Sequence, residues 1–213
     1  MNIQFSSVLP DPLSSIKHNY DSIWNSDFSI QSGQKVILNA ASGKGKTTFT
    51  HLLMGIRNDY SGKMLFEGKD IRSLNMNEWS DIRKNTISVV YQDLQLFPEL
   101  TALENITIKN QLTLALSQHE IEHFFDQVGL ADKRNQVTGT LSMGQKQRVA
   151  IIRALCQPFD WLILDEPFSH LDNENSSICF EIIRERCDKI NAGIILTSLD
   201  EKEISGFDKQ LKL

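Results

Sequence analysis

Apolar positions recur along the chain in two alternating rhythms. Short runs rich in β-branched and aliphatic residues have the length and flanking turns of buried strands: Val36-Ile37-Leu38, Ile87 to Tyr91, Trp161 to Leu164 and Ile194 to Thr197. Between them lie longer segments with apolar residues three and four apart. One opens with Phe49, Leu52, Leu53 and Met54 and is expected to run to about Ile56. A second, Leu141 to Leu155, sets Val149, Ile151, Ile152 and Leu155 among basic residues, and a third covers Ile178 to Ile190. Strands alternating with helices predict an α/β layered fold with a mostly parallel sheet.

Three stretches modify that plan. Over Asn2 to Val8, Ile3, Phe5 and Val8 alternate imperfectly. Pro10 and Pro12 break the pattern, and Asp27 to Ile30 resumes it before a turn at Ser32-Gly33, so residues 1–35 are expected to form short strands and turns. Asn58 to Gly62 reads as loop, Met64 to Phe66 as a short strand, and Phe207 to Leu213 as a last edge strand. From about Leu94 to Gly139 the pattern is helical, with turns at Pro98 and Gly129. A helical lobe, roughly residues 94–155, is therefore expected inside a single domain spanning all 213 residues.

Composition excludes more than it selects. At 40% hydrophobic and 23% charged, the chain is ordinary for a globular protein, and a formal charge of −5 argues against a nucleic-acid partner. The apolar runs fall short of the roughly 18 residues that span a bilayer, and the N-terminus lacks a signal-peptide pattern, so a cytoplasmic protein is expected. Cys156, Cys179 and Cys187 have neither zinc-site spacing nor a C-x-x-C pair and read as reduced core thiols.

The strand ending at Leu38 and the helix after Thr48 enclose A-A-S-G-K-G-K-T-T, residues 40–48. Gly43 and Gly45 let the backbone turn several N–H groups toward one point, and the helix N-terminus adds unpaired N–H groups and a positive dipole end. In such a cradle Lys46 reaches the β- and γ-phosphates of a nucleotide, and Thr47 places a hydroxyl on Mg²⁺. Asp165-Glu166 closes a buried strand, where α/β sheets bind ligands; Asp165 suits Mg²⁺ and Glu166 suits a general base for water. At Ser142-x-x-Gln145 a capping box opens a helix, and the same groups could meet an anion.

These residues together resemble the nucleotide-binding subunit of an ATP-binding cassette (ABC) transporter over nearly the whole chain. The resemblance implies a P-loop NTPase fold with an N-terminal antiparallel β subdomain, a parallel core sheet and an inserted helical subdomain. The family's Walker A motif matches 40–48, so Ala40, Ser42, Gly43, Lys44, Gly45, Lys46, Thr47 and Thr48 are implied ATP contacts. The signature motif, usually L-S-G-G-Q, matches Leu141 to Gln145, with Ser142, Gly144 and Gln145 implied to close over the nucleotide of a second copy facing it head to tail. Walker B with the catalytic glutamate matches Leu162 to Glu166, the Q-loop glutamine falls on Gln92, and Ser169-His170-Leu171-Asp172 is similar to the D-loop. Lys46, Glu166 and Gln92 are the implied catalytic groups, with Mg²⁺ held by Thr47, Gln92 and Asp165. The implied activity is ATP hydrolysis by a dimer, or a paired cassette, that drives integral membrane subunits and sits on the inner face of the membrane through them. Ser73-Leu74-Asn75 and the stretch from Gln92 to Ile106, ending E-L-T-A-L-E-N-I, are similar to the lipoprotein-release and macrolide-export branch. Exposed Leu96, Phe97 and Leu100 are candidate anchors for the membrane partner.

Three positions depart from the family pattern. Ala40 replaces the first Walker A glycine, Met143 replaces a signature glycine, and Ser198 stands where a γ-phosphate-contacting histidine is expected. The expectation is intact ATP binding with slowed hydrolysis, and His170, in the D-loop, is by position a poor substitute. An alternative is an ATP-driven clamp that signals mechanically through a membrane partner; a soluble ABC ATPase acting on DNA or ribosomes would bring tandem cassettes or a basic surface. For the adenine, Tyr20 and His18 are the aromatic candidates. His119-Glu120-Ile121-Glu122-His123 matches the zinc pattern H-E-x-x-H, but helical phasing puts both histidines opposite Ile121, Phe124, Phe125 and Val128, and Ser117 with Glu120 forms a capping box. A solvated helix face is expected there.

Overall fold

The computed structural model describes residues 1–39, 43–198 and 206–213. Among the described residues, two sheets carry the fold. In the first, β1 (Ile3–Pro10), β2 (Phe28–Ile30), β4 (Tyr60–Phe66) and β5 (Lys69–Asp70) pair antiparallel in the order β2-β1-β4-β5. In the second, β3 (Lys35–Asn39), β6 (Ile87–Val90), β7 (Trp161–Asp165), β8 (Gly193–Ser198) and β9 (Lys209–Lys212) run parallel in the order β6-β7-β8-β3-β9. The helices are α1 (Lys46–Leu53), α2 (Met76–Asn85), α3 (Ala102–Asn110), α4 (Gln118–Gln127), α5 (Met143–Leu155) and α6 (Asn173–Ile190).

Strand alternation divides the interior in two. Ile37, Leu162, Leu164, Ile194 and Leu196 face a core shared with α3 to α6, while Val36, Leu38, Trp161, Ile163 and Ile195 face α1 and the antiparallel sheet. Because both faces of the parallel sheet are covered, its strands read as continuous apolar runs, which makes them legible in the sequence. Trp161, Phe49 and Phe125 are among the largest side chains buried to 1% exposure or less. The last strand is at the sheet edge, as expected.

Three local readings need correction. The strand expected at Met64 begins at Tyr60, so Tyr60 to Gly62 is not loop. Gly62 there marks a bulge: the β1–β4 register shifts between Ser6 and Leu9, and a Cβ at Gly62 (φ +80°) would come within 2.2 Å of the Ser7 carbonyl. Helix α2 has no counterpart in the sequence expectations, because it buries none of its residues fully and so leaves little apolar periodicity. A capping box, Asn75 with Glu78, is the signal that marks its start. Helix α6 starts at Asn173 on an Asp172 cap, five residues before its apolar stretch.

The segment between β6 and β7 carries α3, α4 and α5. Its entry turn is fixed by Asn105, buried to 1% exposure, whose Oδ1 accepts from the Phe97 N–H (2.8 Å) and whose Nδ2 donates to the Phe97 and Thr101 carbonyls (3.0 Å each). Thr138 donates to the Phe97 carbonyl at 2.7 Å. These bonds satisfy the backbone of a loop that has no strand partner of its own. They leave Phe97 51% exposed, whereas Leu96 and Leu100 are half-buried, so of the three proposed anchors only Phe97 stands well out. His119 and His123 lie on the outer part of α4 and Ser117 caps Glu120, in keeping with a solvated face; among the described residues no three His, Cys, Asp or Glu side chains cluster as metal ligands.

Candidate functional site

The glycine loop joins β3 to α1, and its Ala40, Ala41 and Ser42 lie outside the described residues, so expectations for Ala40 and Ser42 rest on sequence alone. Trp24 shapes the rest of the loop. Its indole N–H donates to the Lys44 carbonyl (3.3 Å), and a Cβ on Gly45 would lie 2.7 Å from Leu13 and 3.2 Å from Trp24. With φ at +104°, Gly45 is required twice over, for backbone conformation and for space. Gly43 is also left-handed, at φ +77°, but its surroundings are open. Lys46 is buried at the start of α1, and Thr47 follows it on the first turn. Trp24, buried to 4% exposure, belongs to no sequence motif and is absent from the sequence expectations; of the aromatic candidates, Tyr20 is fully exposed and His18 hydrogen-bonds to the Leu13 carbonyl at 2.9 Å.

Lys46 is 6% exposed and pairs with Glu166 at 3.3 Å. Glu166 follows β7 in the left-handed region (φ +51°), an uncommon conformation for a non-glycine residue, and its N–H donates to the Thr197 hydroxyl (3.2 Å). That hydroxyl donates in turn to Asp165 Oδ1 at 2.7 Å. The parallel pairing of β7 with β8 sets Asp165 opposite Thr197 and so brings the two side chains together. Asp165 is buried to 1% exposure, and its Oδ2 has no hydrogen bond of ordinary geometry. Burial raises its pKa; the hydroxyls of Thr197 and Thr47 pull it back down, Glu166 raises it and Lys46 lowers it.

A cavity of about 740 Å³ opens here, lined by Thr47, His51, Ile56, Tyr91, Gln92, Asp93, Gln95, Asp165 and His170. The structure thus brings Thr47, Gln92 and Asp165 to one space. His170, expected to be poorly placed, lines it as well. Leu94 and Gln95, just after Gln92, are both left-handed (φ +60° and +49°), and Arg153 of α5 donates to both of their carbonyls at 2.6 Å. Ser198 ends β8 opposite Asn39 and is half-buried.

The signature residues sit elsewhere. Ser142 caps α5, accepting from the Gln145 N–H (3.3 Å) while Gln145 Oε1 accepts from the Ser142 N–H (2.9 Å). Among the described residues lining the cavity, none comes from 141–145. Gly144 has a reason inside its own chain, since a Cβ there would lie 2.9 Å from the His170 carbonyl. Met143 is 42% exposed. Two positions beyond the motif, Gln147 is buried and donates to the Glu166 carbonyl (3.3 Å) and Ser169 hydroxyl (3.1 Å), and accepts from the His170 N–H (3.0 Å). The signature helix is therefore fastened to the carboxylate turn through one amide.

Residues 23–169 match the family described as ABC transporter. The chain belongs to the ABC transporter family. The cassette is 34% identical over 80% of its length to the lipoprotein-releasing system ATP-binding protein LolD of Buchnera aphidicola subsp. Schizaphis graminum, covering 76% of that protein. It is 30% identical over 88% of its length to LolD of Shewanella oneidensis, covering 83%. In fold it is similar to the dimeric structure of MJ0796, a bacterial ABC transporter cassette, with a TM-score of 0.83, 24% identity, and coverage of 99% and 94% of the two chains. A dimeric post-hydrolysis form of MJ0796 bound to ADP and Pi gives a TM-score of 0.75 at 24% identity, covering 93% and 88%. The cassette is accordingly an ATP-binding, ATP-hydrolysing transporter subunit with a P-loop NTPase fold, as its sequence predicts. No helix among its described residues is long and apolar enough to cross a membrane.

Proposed function

We propose that the cassette powers a lipoprotein-release type of transporter, with residues 1–213 acting as one ATP-binding unit. The observation that carries this is the cavity where Thr47, Gln92 and Asp165, whose Oδ2 lacks a hydrogen bond of ordinary geometry, meet beside the Lys46–Glu166 pair. Gly43, Lys44, Gly45, Lys46, Thr47 and Thr48, with Ala40 and Ser42, bind the ATP phosphates. Lys46 moves from Glu166 onto the phosphates, which frees Glu166 to take the proton of the attacking water. An all-oxygen donor set with one unsatisfied carboxylate oxygen suits Mg²⁺, held by Thr47, Gln92 and Asp165. The metal would neutralise charge on the β- and γ-phosphates.

Ser142, Gly144 and Gln145 are read as meeting the nucleotide of a second copy, as the resemblance implies, and the exposure of Ser142 and Met143 leaves their turn accessible to one. Two cassettes facing head to tail would each complete the other's site, and closure follows from ATP binding the closed form better than the open one. Gln92 and the exposed Phe97 turn then transmit closure to integral membrane subunits, which hold the cassette on the inner face of the membrane. A signalling clamp is not favoured, because the relatives are release-system ATP-binding proteins. Ser198 offers no imidazole to the γ-phosphate, so turnover is slower than it would be with one, and Ser198→His should raise kcat.

The test is a measurement of mass in solution with Mg·ATP. Glu166→Gln removes the base and preserves bound ATP, so it should accumulate as a dimer, while wild type hydrolyses ATP and returns to monomer. A Glu166→Gln chain that stays monomeric at saturating Mg·ATP would refute the composite site.

A further inference from the structure

Two imidazoles line the cavity: His51 packs edge-on against Tyr91, and His170 is left without a task by the cassette reading. His170 occupies the D-loop, yet it lines the same space as Thr47, Gln92 and Asp165. Its orientation is set by a chain of bonds. Gln147 Nε2 donates to Ser169 Oγ (3.1 Å), and Ser169 Oγ lies 2.9 Å from His170 Nδ1. With one Ser169 lone pair taken by the amide, its O–H is free to turn to the ring, and we assign Ser169 as the donor and Nδ1 as the acceptor. The tautomer assigned by that chain places the ring proton on Nε2. The His170 backbone is pinned as well, its N–H donating to Gln147 Oε1 at 3.0 Å and its carbonyl lying against Gly144. Nε2–H thus remains a donor whether the ring is neutral or cationic, on a backbone held by α5.

From this geometry we infer that His170 is a catalytic residue, donating from Nε2 to a terminal phosphate oxygen of the nucleotide bound in its own chain. Charge builds on those oxygens during phosphoryl transfer, so a preorganised donor there acts mainly in the transition state. The carboxylates of Asp93 and Asp165 share the cavity and repel an approaching phosphate, which raises the demand for donors where it sits. Ser198 stands at the position implied for an imidazole, and His170 supplies one to the cavity from the D-loop instead. The inference rests on the cassette reading above.

Two substitutions separate the phosphate contact from the Ser169 contact. His170→Asn places an amide near Nδ1 and keeps the bond to Ser169 but has nothing at Nε2. His170→Gln extends an amide N–H to about the Nε2 position. ATPase kinetics on the full chain with saturating Mg²⁺, together with binding of a fluorescent ATP analogue, should show kcat about 100-fold or more lower for His170→Asn, as for the loss of one oxyanion donor. Binding and KM should change by less than about twofold, and His170→Gln should keep most of the wild-type kcat. Wild-type kinetics in both variants would overturn the inference, as would a loss in His170→Gln equal to or greater than that in His170→Asn, which marks a packing role. If wild type itself neither binds nor hydrolyses ATP, the cassette reading falls and this inference with it; wild-type turnover with unaffected variants removes His170 alone.

Discussion

The two ends of the proposed composite site are built on opposite principles. At the glycine loop, polarity is left open. Asp165 Oδ2 is buried without a bond of ordinary geometry, Lys46 and Glu166 hold each other nearly out of water, and two glycines sit in left-handed backbone. At the signature turn, polarity is closed. Ser142 and Gln145 satisfy each other across a capping box, and Gly144 is packed against its own D-loop. An open arrangement costs stability and asks for a ligand. A closed one is a sound helix start that needs none, and only its exposure beside Met143 leaves it available to another chain.

The largest effect expected from breaking this contrast is at Lys46. Lys46→Ala removes the phosphate contact and leaves Glu166, 11% exposed, without its cation. ATP affinity should fall below detection by equilibrium binding, and Mg·ATP should no longer produce a dimer. A variant that still dimerises with ATP would remove the open half of the comparison.

Ser142→Asp comes next and tests the closed half. Aspartate caps helices about as well as serine, so the fold should lose less than ~0.5 kcal/mol by chemical denaturation. Its charge would oppose a partner's phosphates, and ATP-driven dimerisation should be lost while ATP binding by the single chain persists. If dimerisation survives, the serine is a cap and nothing more.

Legibility follows the same contrast. The parallel strands are readable because both of their faces are buried, and the glycine loop because its residues have few other reasons to occur together. Helix α2 is hidden since none of its residues is fully buried, and Tyr60 reads as loop because Gly62 signals a turn as readily as the bulge it forms. Trp24 carries no motif; its role depends on its indole meeting the loop across about twenty residues of chain. The D-loop position alone argues against His170, and no sequence pattern reveals the Ser169 and Gln147 bonds that orient it.

A smaller effect is expected at Asp165. Its pKa is raised in the folded chain, chiefly by burial, so its contribution to stability is full below the unfolded value and declines as pH rises through the folded one. Asp165→Asn should therefore stabilise the nucleotide-free cassette at neutral pH, by roughly 2–4 °C in Tm if the gain is ~1 kcal/mol. The same variant should lose the added thermal stability that Mg·ATP gives wild type. In wild type that gain should shrink as pH falls through the raised Asp165 value. A lower Tm for the nucleotide-free variant would mean the carboxylate is structural rather than held open for a metal.

A comparable effect probes what joins the two halves. Arg153 leaves α5 about three turns beyond Ser142 and holds the Leu94 and Gln95 carbonyls, which follow Gln92 in left-handed backbone. Burial lowers its pKa, but guanidinium stays charged at any working pH, so the clamp does not titrate. Arg153→Lys retains the charge but cannot present two parallel donors, and should cost about 1–2 kcal/mol, the scale of one lost charge-assisted bond. If the clamp only supports the fold, kcat and ATP affinity will be unchanged below the melting range. If it couples the signature helix to the Gln92 turn, ATP binding will be preserved while stimulation of turnover by the membrane partner falls, because the cavity side can then close without moving the turn that bears Phe97.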